Sequence, residues 1–460
     1  MSKQRQKNQI KLALEKKSEG EPSRVLSQGY EADVAIGGTE SLVASRLMEE
    51  VADHRNLMEA FYQVRKNKGK PGIDKMTVDQ LGAYLLKHHE ELRRELLSDG
   101  FKPQPVRRVE IPKPNGGKRN LGIPNVKDRL VQQAILQVVQ KYWDAGFHEN
   151  SYGFRPRRSQ HQAIQQAQKY VGSGLRFVVD IDLEKFFDTV NHDKLMSLVA
   201  KRVQDKRLLR LIRAFLNAGV MIDGVVQDKE DGTPQGGPLS PWLSNVMLHE
   251  LDQELERRKL KFVRYADDCN IYVASKRAGE RVMEGITSFI SKELKLKVNE
   301  EKSAVDYPWN RKFLGFSFTN EEHPRCTIAP QSLDMAKQKI RQITRFTRGN
   351  TIEQISAELA KYLTGWMEYY HICEVQSDFT RIEQMIRRRL RALIWHRWKT
   401  TKRRYRELVQ RKVNPSLARR TAGSSKGRTR NSTGKAIQVA LPNAYFKSLG
   451  LPNLRCRGST

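Results

Sequence analysis

The spacing of apolar and polar residues changes along the chain. Between about residues 70 and 320, short β-prone apolar runs alternate with stretches of helical spacing, which predicts an α+β region. From about residue 330 onward the spacing is helical. Upstream, apolar positions in 42–61 predict one helix, capped by Thr-Glu-Ser at 39–41 and continuing toward Arg65. The first 40 residues are polar and basic, and we expect them to be loosely attached or disordered.

Residues 261–273 predict a β-hairpin that carries two adjacent carboxylates at its tip. Two apolar, β-prone runs flank Asp267 and Asp268. Neighbouring strand residues point to opposite faces, so one carboxylate can bind a metal ion while the other supports it. A polar turn without a function would show the same local pattern, so this segment alone leaves both interpretations open.

A second acidic strand is predicted at residues 177–182. Its alternation places Asp180 and Asp182 on one face, and the spacing does not choose between them as a metal ligand. Two carboxylate-bearing strands can meet in one sheet and hold the divalent cations used in phosphoryl transfer. The alternative, for each residue taken alone, is that Asp180 or Asp188 pairs with a nearby Lys or Arg.

Residues 109–124 predict a hairpin with an Asn-Gly-Gly tip. Lys113 and Arg119 flank this tip, and their charges are suited to a triphosphate. A solvated basic hairpin is the alternative interpretation.

Residues 232–241 form a Gly- and Pro-rich junction that precedes a segment of helical spacing. The glycines allow a ligand to approach the backbone closely, and Gln235 can present its amide there. Ser240, directly before Pro241, predicts an N-cap with Pro in the first turn. A plain loop-to-helix junction remains the alternative.

Composition favours a polyanionic partner. The chain has 460 residues, with 83 Lys and Arg against 52 Asp and Glu, a formal charge of +31. Such an excess predicts salt-sensitive nucleic-acid binding. No apolar run is long enough to span a membrane and no secretory signal is evident, so we expect a cytoplasmic protein without a membrane partner. The four cysteines form no Cys-x-x-Cys pair, which argues against a zinc module and for free thiols.

The helical region is basic as well as amphipathic. Residues 381–430 contain 18 Lys or Arg against two acids. We expect an apolar stripe to pack on the domain, consisting of Ile382, Ile386, Leu390, Leu393 and Ile394. The basic side chains left for phosphate contact are Arg387, Arg388, Arg389, Arg391, Arg397 and Lys399. A solvated charged helix face is the alternative.

Taken together and in order, these segments resemble bacterial group II intron-encoded reverse transcriptases, also called maturases. The resemblance covers roughly residues 55–400. Beyond the strands and loops above, the matching segments are Pro-Gly-Ile-Asp at 71–74, Ser-Tyr-Gly-Phe-Arg-Pro at 151–156, residues 296–303, Phe-Leu-Gly-Phe at 313–316 and Gly-Trp-Met-Glu-Tyr-Tyr at 365–370. Lys302, within 296–303, has two interpretations: a lysine near the pyrophosphate, or a solvated lysine, which is the favoured one.

The resemblance implies a set of metal-binding residues. It selects Asp182 over Asp180, because the family places its metal-binding Asp five residues before an aromatic residue, here Phe187. Asp182, Leu183 and Asp267 are then the metal-binding positions, with Asp268 beside them as the third catalytic carboxylate. The implied cofactor is a pair of Mg²⁺ ions, for which Mn²⁺ is a possible substitute.

The resemblance also implies the nucleotide-binding residues. Phe187 is a steric gate against the ribose 2′-OH, and Phe186 is its neighbour in the core. Lys113 and Arg119 neutralise the phosphates of the incoming dNTP, and Gln235 contacts that nucleotide.

The implied architecture is an α+β right-hand polymerase. We expect an N-terminal extension at 1–50, fingers and palm with an antiparallel sheet at 51–325, an α-helical thumb or maturase X domain at 326–400, and a basic nucleic-acid-binding tail at 401–460. Because the sequence ends without paired cysteines, it resembles group IIC-type proteins, which lack an HNH endonuclease domain.

The implied function is an RNA-directed DNA polymerase that binds its group II intron RNA, assists splicing and copies the RNA into cDNA during retrohoming. Its partners are then the intron RNA, an RNA template with a DNA primer, target DNA and dNTPs, in a bacterial cytoplasm. The alternatives are another bacterial reverse transcriptase (retron, diversity-generating or CRISPR-associated) and a non-catalytic RNA-splicing chaperone.

Overall fold

The computed structural model describes residues 46–112, 118–222, 225–227, 232, 236–346 and 349–455, with only the backbone at 118, 119, 222 and 225–227. The segment 1–40 and the cap expected at 39–41 lie outside these ranges. The chain divides into two compact units: unit 1 comprises Met1–Ala163 and Val178–Val305, and unit 2 comprises Ile164–Phe177 and Asp306–Thr460. The domain boundaries at residues 50, 325 and 400 stay predictions.

The helices, in chain order, are α1 (Leu47–Val51), α2 (His54–Asn67), α3 (Leu81–Leu97), α4 (Val126–Trp143), α5 (Gln160–Gly172), α6 (Phe186–Thr189), α7 (His192–Ala200), α8 (Lys206–Asn217), α9 (Ser240–Arg257), α10 (Lys276–Glu293), α11 (Pro330–Ile343), α12 (Ile352–Tyr370), α13 (Gln376–Arg397), α14 (Thr401–Gln410), α15 (Pro415–Ala422), α16 (Arg428–Asn431), α17 (Lys435–Ala440) and α18 (Asn443–Ser448). The strands are β1 (Val106–Pro112), β2 (Lys118–Ile123), β3 (Phe177–Ile181), β4 (Val220–Ile222), β5 (Val225–Gln227), β6 (Lys261–Tyr265), β7 (Asp268–Val273), β8 (Ala304–Asp306), β9 (Phe316–Phe318) and β10 (Cys326–Ile328).

Two four-stranded sheets organise the strands of unit 1. One has the order β2-β1-β4-β5, in which β1 and β2 form the predicted antiparallel hairpin. The other has the order β6-β7-β3-β8. Its β6–β7 hairpin is antiparallel, with Tyr265 opposite Asp268, and it joins the predicted strand β3 directly. The α+β class and both predicted acidic strands are therefore confirmed.

Two helix starts differ from the sequence-based predictions. The single helix expected to continue to Arg65 is wrong, because α1 ends at Val51 and a second helix starts at His54. Asp53 has an extended backbone and accepts hydrogen bonds from the Arg55 and Asn56 amides, which caps a new helix. Ser240 is also not an N-cap: α9 already includes it, and Leu239 holds the cap position without a side-chain bond.

Helix α9 lies against the sheet that contains β6, and most of its surface is buried. Trp242, Val246 and Met247 are among its core residues. Two polar residues on the same helix, Asn245 and Asp252, are also buried. Buried polar side chains need partners inside the protein.

Unit 2 contains helices α11 to α18 and the antiparallel pair β9–β10. The predicted apolar stripe of α13 is buried at every position, which confirms that it packs on this unit. Thr351 and Gln354 form a capping box at the start of α12. Among the described cysteines, Cys269, Cys326 and Cys373 are buried free thiols, as predicted. None of the helices in the described ranges is both long and apolar enough to cross a membrane.

Candidate active site

The carboxylates predicted to bind metal lie at the ends of neighbouring strands. Asp182 directly follows β3, and Asp268 is the first residue of β7, with Asp267 in the turn before it. The Asp182 amide donates to Ser303 Oγ over 3.0 Å, and the Asn299 amide donates to the Asp182 carbonyl over 2.8 Å. The segment 296–303 therefore holds the backbone at the end of β3.

Lys302 is exposed, as expected of a solvated lysine, and it also has a partner among the candidate site residues. Its Nζ atom lies 3.1 Å from Asp182 Oδ1, so the ammonium group forms an ion pair with the candidate metal ligand. Leu183, next to Asp182, is buried and forms a β-bridge with Val298. Asp182 and Leu183, the two predicted metal-binding positions next to β3, are thus both held by the segment 296–303.

Carboxylates on β3 and β7 both influence the pKa of the buried Cys269 thiol. Burial raises the pKa of Cys269, and the negative charges of Asp252, Asp180 and Asp268 raise it further. Asp180 on β3 and Asp268 on β7 therefore act on one group.

The donor chemistry at these strand ends fits a divalent cation. Within the described ranges, no three side chains of His, Cys, Asp or Glu are grouped so that they could hold a metal ion. The available donors are the carboxylates of Asp182 and Asp267 and the backbone at Leu183. Mg²⁺ commonly binds through one or two carboxylates and takes its other oxygen ligands from substrate phosphates and water. The residues present suit such a cation better than an ion enclosed by protein alone.

A buried arginine lies directly before the acidic turn. Arg264 is fully buried and pairs with Asp252 of α9, which is fully buried too. Burial alone lowers the pKa of Arg264, but the charge and hydrogen bonds of Asp252 outweigh this effect, and the charge of Asp267 adds to it, so that the pKa is raised. The guanidinium of Arg264 therefore keeps its positive charge, and it interacts electrostatically with the predicted metal ligand Asp267.

Phe187 lines a cavity of about 610 Å³ within unit 1. Lys185 has a left-handed backbone (φ +47°) directly before α6, and this turn precedes the two aromatic residues. Phe186 is 2 % exposed and Phe187 is 9 % exposed, with Phe187 reaching the cavity wall. Other residues around the cavity are Gln63, Asn67, Arg129, Gln133, Phe154, Gly236, Gly237 and Pro238. This arrangement fits the predicted division between a gate and a core neighbour.

Glycines connect the junction at 232–237 to the rest of this cavity. Gly232 has φ +94°, and a Cβ there would lie 2.9 Å from the Phe187 carbonyl oxygen. Gly236 has φ +129°, and a Cβ there would lie 2.5 Å from the carbonyl oxygen of Gly122 on β2. Only glycine allows both approaches. Gly232 thus lies against the backbone of Phe187, and Gly236 lies against the β1–β2 hairpin.

Three predicted nucleotide-binding side chains cannot be placed. Lys113 and Gln235 lie outside the described residues, and only the backbone of Arg119 is described. Arg119 pairs with Ile111 in the β1–β2 hairpin.

The predicted nucleic-acid-binding residues of α13 and of the segment directly after it fall into two groups. Arg388 and Lys399 are exposed. The other four have partners within unit 2: Arg387 pairs with Glu383, Arg389 donates to Thr344, Arg391 donates to the Leu441 carbonyl, and Arg397 donates to the Asn350 carbonyl. Their use as phosphate contacts stays a prediction.

Sequence reasoning missed the buried polar residues that surround the acidic turn. Arg264 is a polar residue within an otherwise apolar run, whereas Asn245 and Asp252 carry no motif of their own. Asn245 and Asp252 are seven residues apart, which places them on one face of a helix. That spacing is the signal that could have revealed them.

Comparison with known proteins identifies the class. Residues 111–318 match the family model "Reverse transcriptase (RNA-dependent DNA polymerase)". Residues 333–412 match the model "Group II intron, maturase-specific domain". The α+β fold and the two matched models together define a reverse transcriptase.

Three relatives support the same classification. Protein YkfC of Escherichia coli (strain K12) is 35% identical over 307 residues, covering 58% of this chain and 81% of that protein. The group II intron-encoded protein LtrA of Lactococcus lactis subsp. cremoris is 36% identical over 45% of this chain and 34% of its own length. An uncharacterized 91 kDa protein in the cob intron of Schizosaccharomyces pombe is 33% identical over 48% of this chain and 26% of its own length. The chain thus spans most of the first relative and about a third or less of the other two.

The chain belongs to the family of group II intron reverse transcriptases with a maturase-specific domain. Members of this family are RNA-directed DNA polymerases that act on nucleic acids and typically use divalent metal ions.

Proposed function

We propose that this chain copies the RNA of a group II intron into cDNA during retrohoming and binds that RNA to assist its splicing. The carrying observation is that β3 and β7 are neighbours in one sheet, with Asp182 directly after β3 and the Asp267–Asp268 pair at the start of β7. Phe187, on the wall of a cavity in the same unit, supports a preference for deoxynucleotides.

In this proposal each residue has a defined task. Asp182, Leu183 and Asp267 hold two Mg²⁺ ions, and Asp268 supports them. When bound there, such cations would activate the primer 3′-OH and neutralise charge on the leaving pyrophosphate. Phe187 excludes the ribose 2′-OH. Further dNTP contacts come from Lys113, Arg119 and Gln235.

Primer extension tests the polymerase. A DNA primer on an RNA template is incubated with Mg²⁺, dNTPs and either wild type, Asp267→Ala or Asp193→Ala. Asp193 is a matched control, because it is an exposed aspartate of unit 1 that pairs with a partly exposed arginine, Arg213. We expect Asp267→Ala to lose at least about 100-fold in rate, the scale on which losing one group that stabilises transition-state charge acts. Absence of wild-type product, or equal rates in both variants, would contradict the proposal.

Intron RNA binding rests on unit 2. The maturase-specific match covers 333–412, and the exposed Arg388 and Lys399 lie in this range. Binding of a folded intron and its splicing are measured with wild type and Asp267→Ala. We expect both to persist in the variant, because splicing assistance needs RNA contact and not nucleotide addition. Loss of binding in Asp267→Ala would contradict this separation.

Two alternatives make different predictions. A non-catalytic splicing chaperone would bind intron RNA without extending a primer, and the paired acidic strands together with Phe187 argue against it. A retron, diversity-generating or CRISPR-associated enzyme would not need the maturase-specific match at 333–412. DNA flanking the coding frame decides this point, since an intron-encoded frame lies within RNA that folds as a group II intron. Target DNA is a further proposed partner.

A further inference from the structure

The guanidinium of Arg264 is hydrogen-bonded at every N–H. Nε and Nη2 donate to the two carboxylate oxygens of Asp252 over 2.6 and 2.5 Å. Nη1 donates to Asn245 Oδ1 over 3.1 Å and to the Ala266 carbonyl over 2.9 Å. Nη2 also donates to Ser151 Oγ over 2.7 Å. All five donors of the group are therefore used, and one of them holds the backbone directly before Asp267.

Helix α9 fixes the position of this guanidinium. Asn245 and Asp252 lie two turns apart on the helix, and both are buried. Asn245 also donates from Nδ2 to the Gly153 carbonyl over 2.9 Å. The helix thus links the arginine to a second segment, residues 150–153.

Residues 150–153 run along β6 and reach the acidic turn. The Arg264 amide donates to the Asn150 carbonyl, and the Tyr152 amide donates to the Arg264 carbonyl, each over 2.9 Å. A Cβ on Gly153 would lie 2.2 Å from the Ala266 amide nitrogen, so only glycine fits beside the turn. This contact explains the Ser-Tyr-Gly segment of the motif at 151–156.

The turn needs such support because its backbone is unusual. Ala266 has φ +57°, a left-handed conformation that residues other than glycine rarely adopt. Its carbonyl accepts from Arg264 on one side, and its amide faces Gly153 on the other. Asp267 follows immediately, so the direction of its carboxylate depends on the conformation at Ala266.

We propose that Arg264 is a positioning residue, which orients Asp267 for a divalent cation by holding the Ala266 carbonyl in place. Asp252, Asn245 and Ser151 fix the arginine, and Gly153 supports the turn from the opposite side. The inference rests on the proposed function, in which Asp267 is a metal ligand. Lysine cannot replace the arginine, because its three N–H donors are all on one nitrogen atom and cannot reach all four acceptor residues.

Direct Mn²⁺ binding is the test, measured by the electron paramagnetic resonance signal of free Mn²⁺ in the presence of protein, primer-template and a chain-terminating nucleotide. Arg264→Lys should weaken Mn²⁺ binding about 10- to 100-fold, the range for losing a group that orients a metal ligand. Ser151→Ala removes only one of the five hydrogen bonds and should weaken binding less. The Mg²⁺ concentration for half-maximal primer extension should rise in the same order.

Asp205→Ala is the control for general destabilisation. Asp205 is a buried carboxylate of unit 1 whose partners are Met48, Arg207 and Leu208, none of which belongs to the turn. It should lower the melting temperature and leave the Mn²⁺ affinity of the folded protein unchanged. All variants are compared below the onset of unfolding, as followed by circular dichroism.

The outcomes separate the inference from the proposed function. If Asp267→Ala binds Mn²⁺ as tightly as wild type, the proposed function fails at its metal ligand. If Asp267→Ala loses Mn²⁺ while folded Arg264→Lys and Ser151→Ala keep wild-type affinity, the positioning role alone is overturned. An equal loss of affinity in Asp205→Ala and Arg264→Lys would also overturn it, because the effect would then be general. Should Arg264→Lys not fold, Ser151→Ala decides in the same way.

Discussion

Lys185 forms the turn directly before two adjacent phenylalanines, which have different surroundings. Its left-handed backbone starts the short helix α6, after which the rings of Phe186 and Phe187 meet edge to face, with centroids 5.2 Å apart. Phe186 packs in the core, whereas Phe187 also reaches the cavity. One residue position therefore separates a ring that only packs in the core from a ring that also lines the cavity.

Phe187→Ala should weaken the selection of deoxynucleotides over ribonucleotides. Removing the ring opens space on the cavity wall, so the ribose 2′-OH is no longer excluded. We expect the ratio of dNTP to rNTP incorporation, measured as kcat/KM, to fall by about 10- to 100-fold, the scale on which a pocket discriminates one small group. Phe186→Leu is the matched control, and it should lower the melting temperature while keeping the ratio. An unchanged ratio in Phe187→Ala would rule out the gate.

Asp128 gives unit 1 a predicted pH dependence. Burial raises the pKa of this carboxyl to about 7, and the Gln104 amide donates to it over 3.3 Å. The unfolded chain releases this proton near pH 3.8, while the folded state keeps it until about pH 7. The free energy of unfolding therefore falls as the pH rises between these values, by about 1.4 kcal/mol per unit of pKa shift at most.

Asp128→Asn tests this pH dependence. The asparagine side chain still has an oxygen that accepts from the Gln104 backbone N–H, but it cannot ionise. The melting temperature of the variant should exceed that of wild type by more at pH 8 than at pH 5. The same difference at both pH values would show that Asp128 does not titrate with folding.

At the scale of elements, α13 carries arginines that bond within unit 2 and arginines that are exposed to solvent. Its apolar stripe is buried, and the half-buried Arg389 donates from Nε to Thr344 Oγ1 and from Nη2 to the Thr344 carbonyl over 3.2 Å. Arg388, one position earlier, is exposed. The helix therefore uses successive arginines to join α11 and to face solvent.

Arg388→Gln and Arg389→Gln form a matched pair. Arg389→Gln should lower the free energy of unfolding by about 1–3 kcal/mol, since it leaves buried acceptors without a donor. Arg388→Gln should leave stability within about 0.5 kcal/mol and weaken intron RNA binding. Thermal unfolding and filter binding measure the two effects. Equal stability losses with unchanged RNA affinity would contradict the assignment of Arg388.

At the scale of the whole molecule, the formal charge of +31 governs association with nucleic acid. Within the described ranges many basic residues are paired or bonded to carbonyls, as Arg387 and Arg391 are, so the charge overstates the number of phosphate contacts. The number of contacts is a property that titration with salt measures directly.

The affinity for RNA should fall linearly with the logarithm of the salt concentration. Six to ten phosphate contacts would reduce it by about 10³- to 10⁵-fold between 50 and 200 mM salt. The slope should become less steep by about one contact in Arg388→Gln and stay unchanged in Asp193→Ala. A dissociation constant that does not change with salt would exclude phosphate contact as the main source of affinity.

The sequence alone determined the elements and the chemistry at their ends. Alternation predicted β3 and the β6–β7 hairpin, because the side-chain period of a strand is two and is visible in the order of residues. The spacing of Ile382, Ile386 and Leu390 predicted the buried side of α13 for the corresponding helical reason. The resemblance to a family then assigned roles to Asp182, Asp267 and Phe187, which the local patterns had left open.

Only the tertiary structure decided which distant residues meet. The pairing of Arg264 with Asp252 and Ser151, and of Lys302 with Asp182, depends on strand order and on the packing of α9, and neither is written in local spacing. The break before His54 likewise depended on Asp53 capping a new helix instead of continuing the old one. Hydrophobic period is a local property, whereas the partners of a buried charge are set by contacts between segments far apart in the chain.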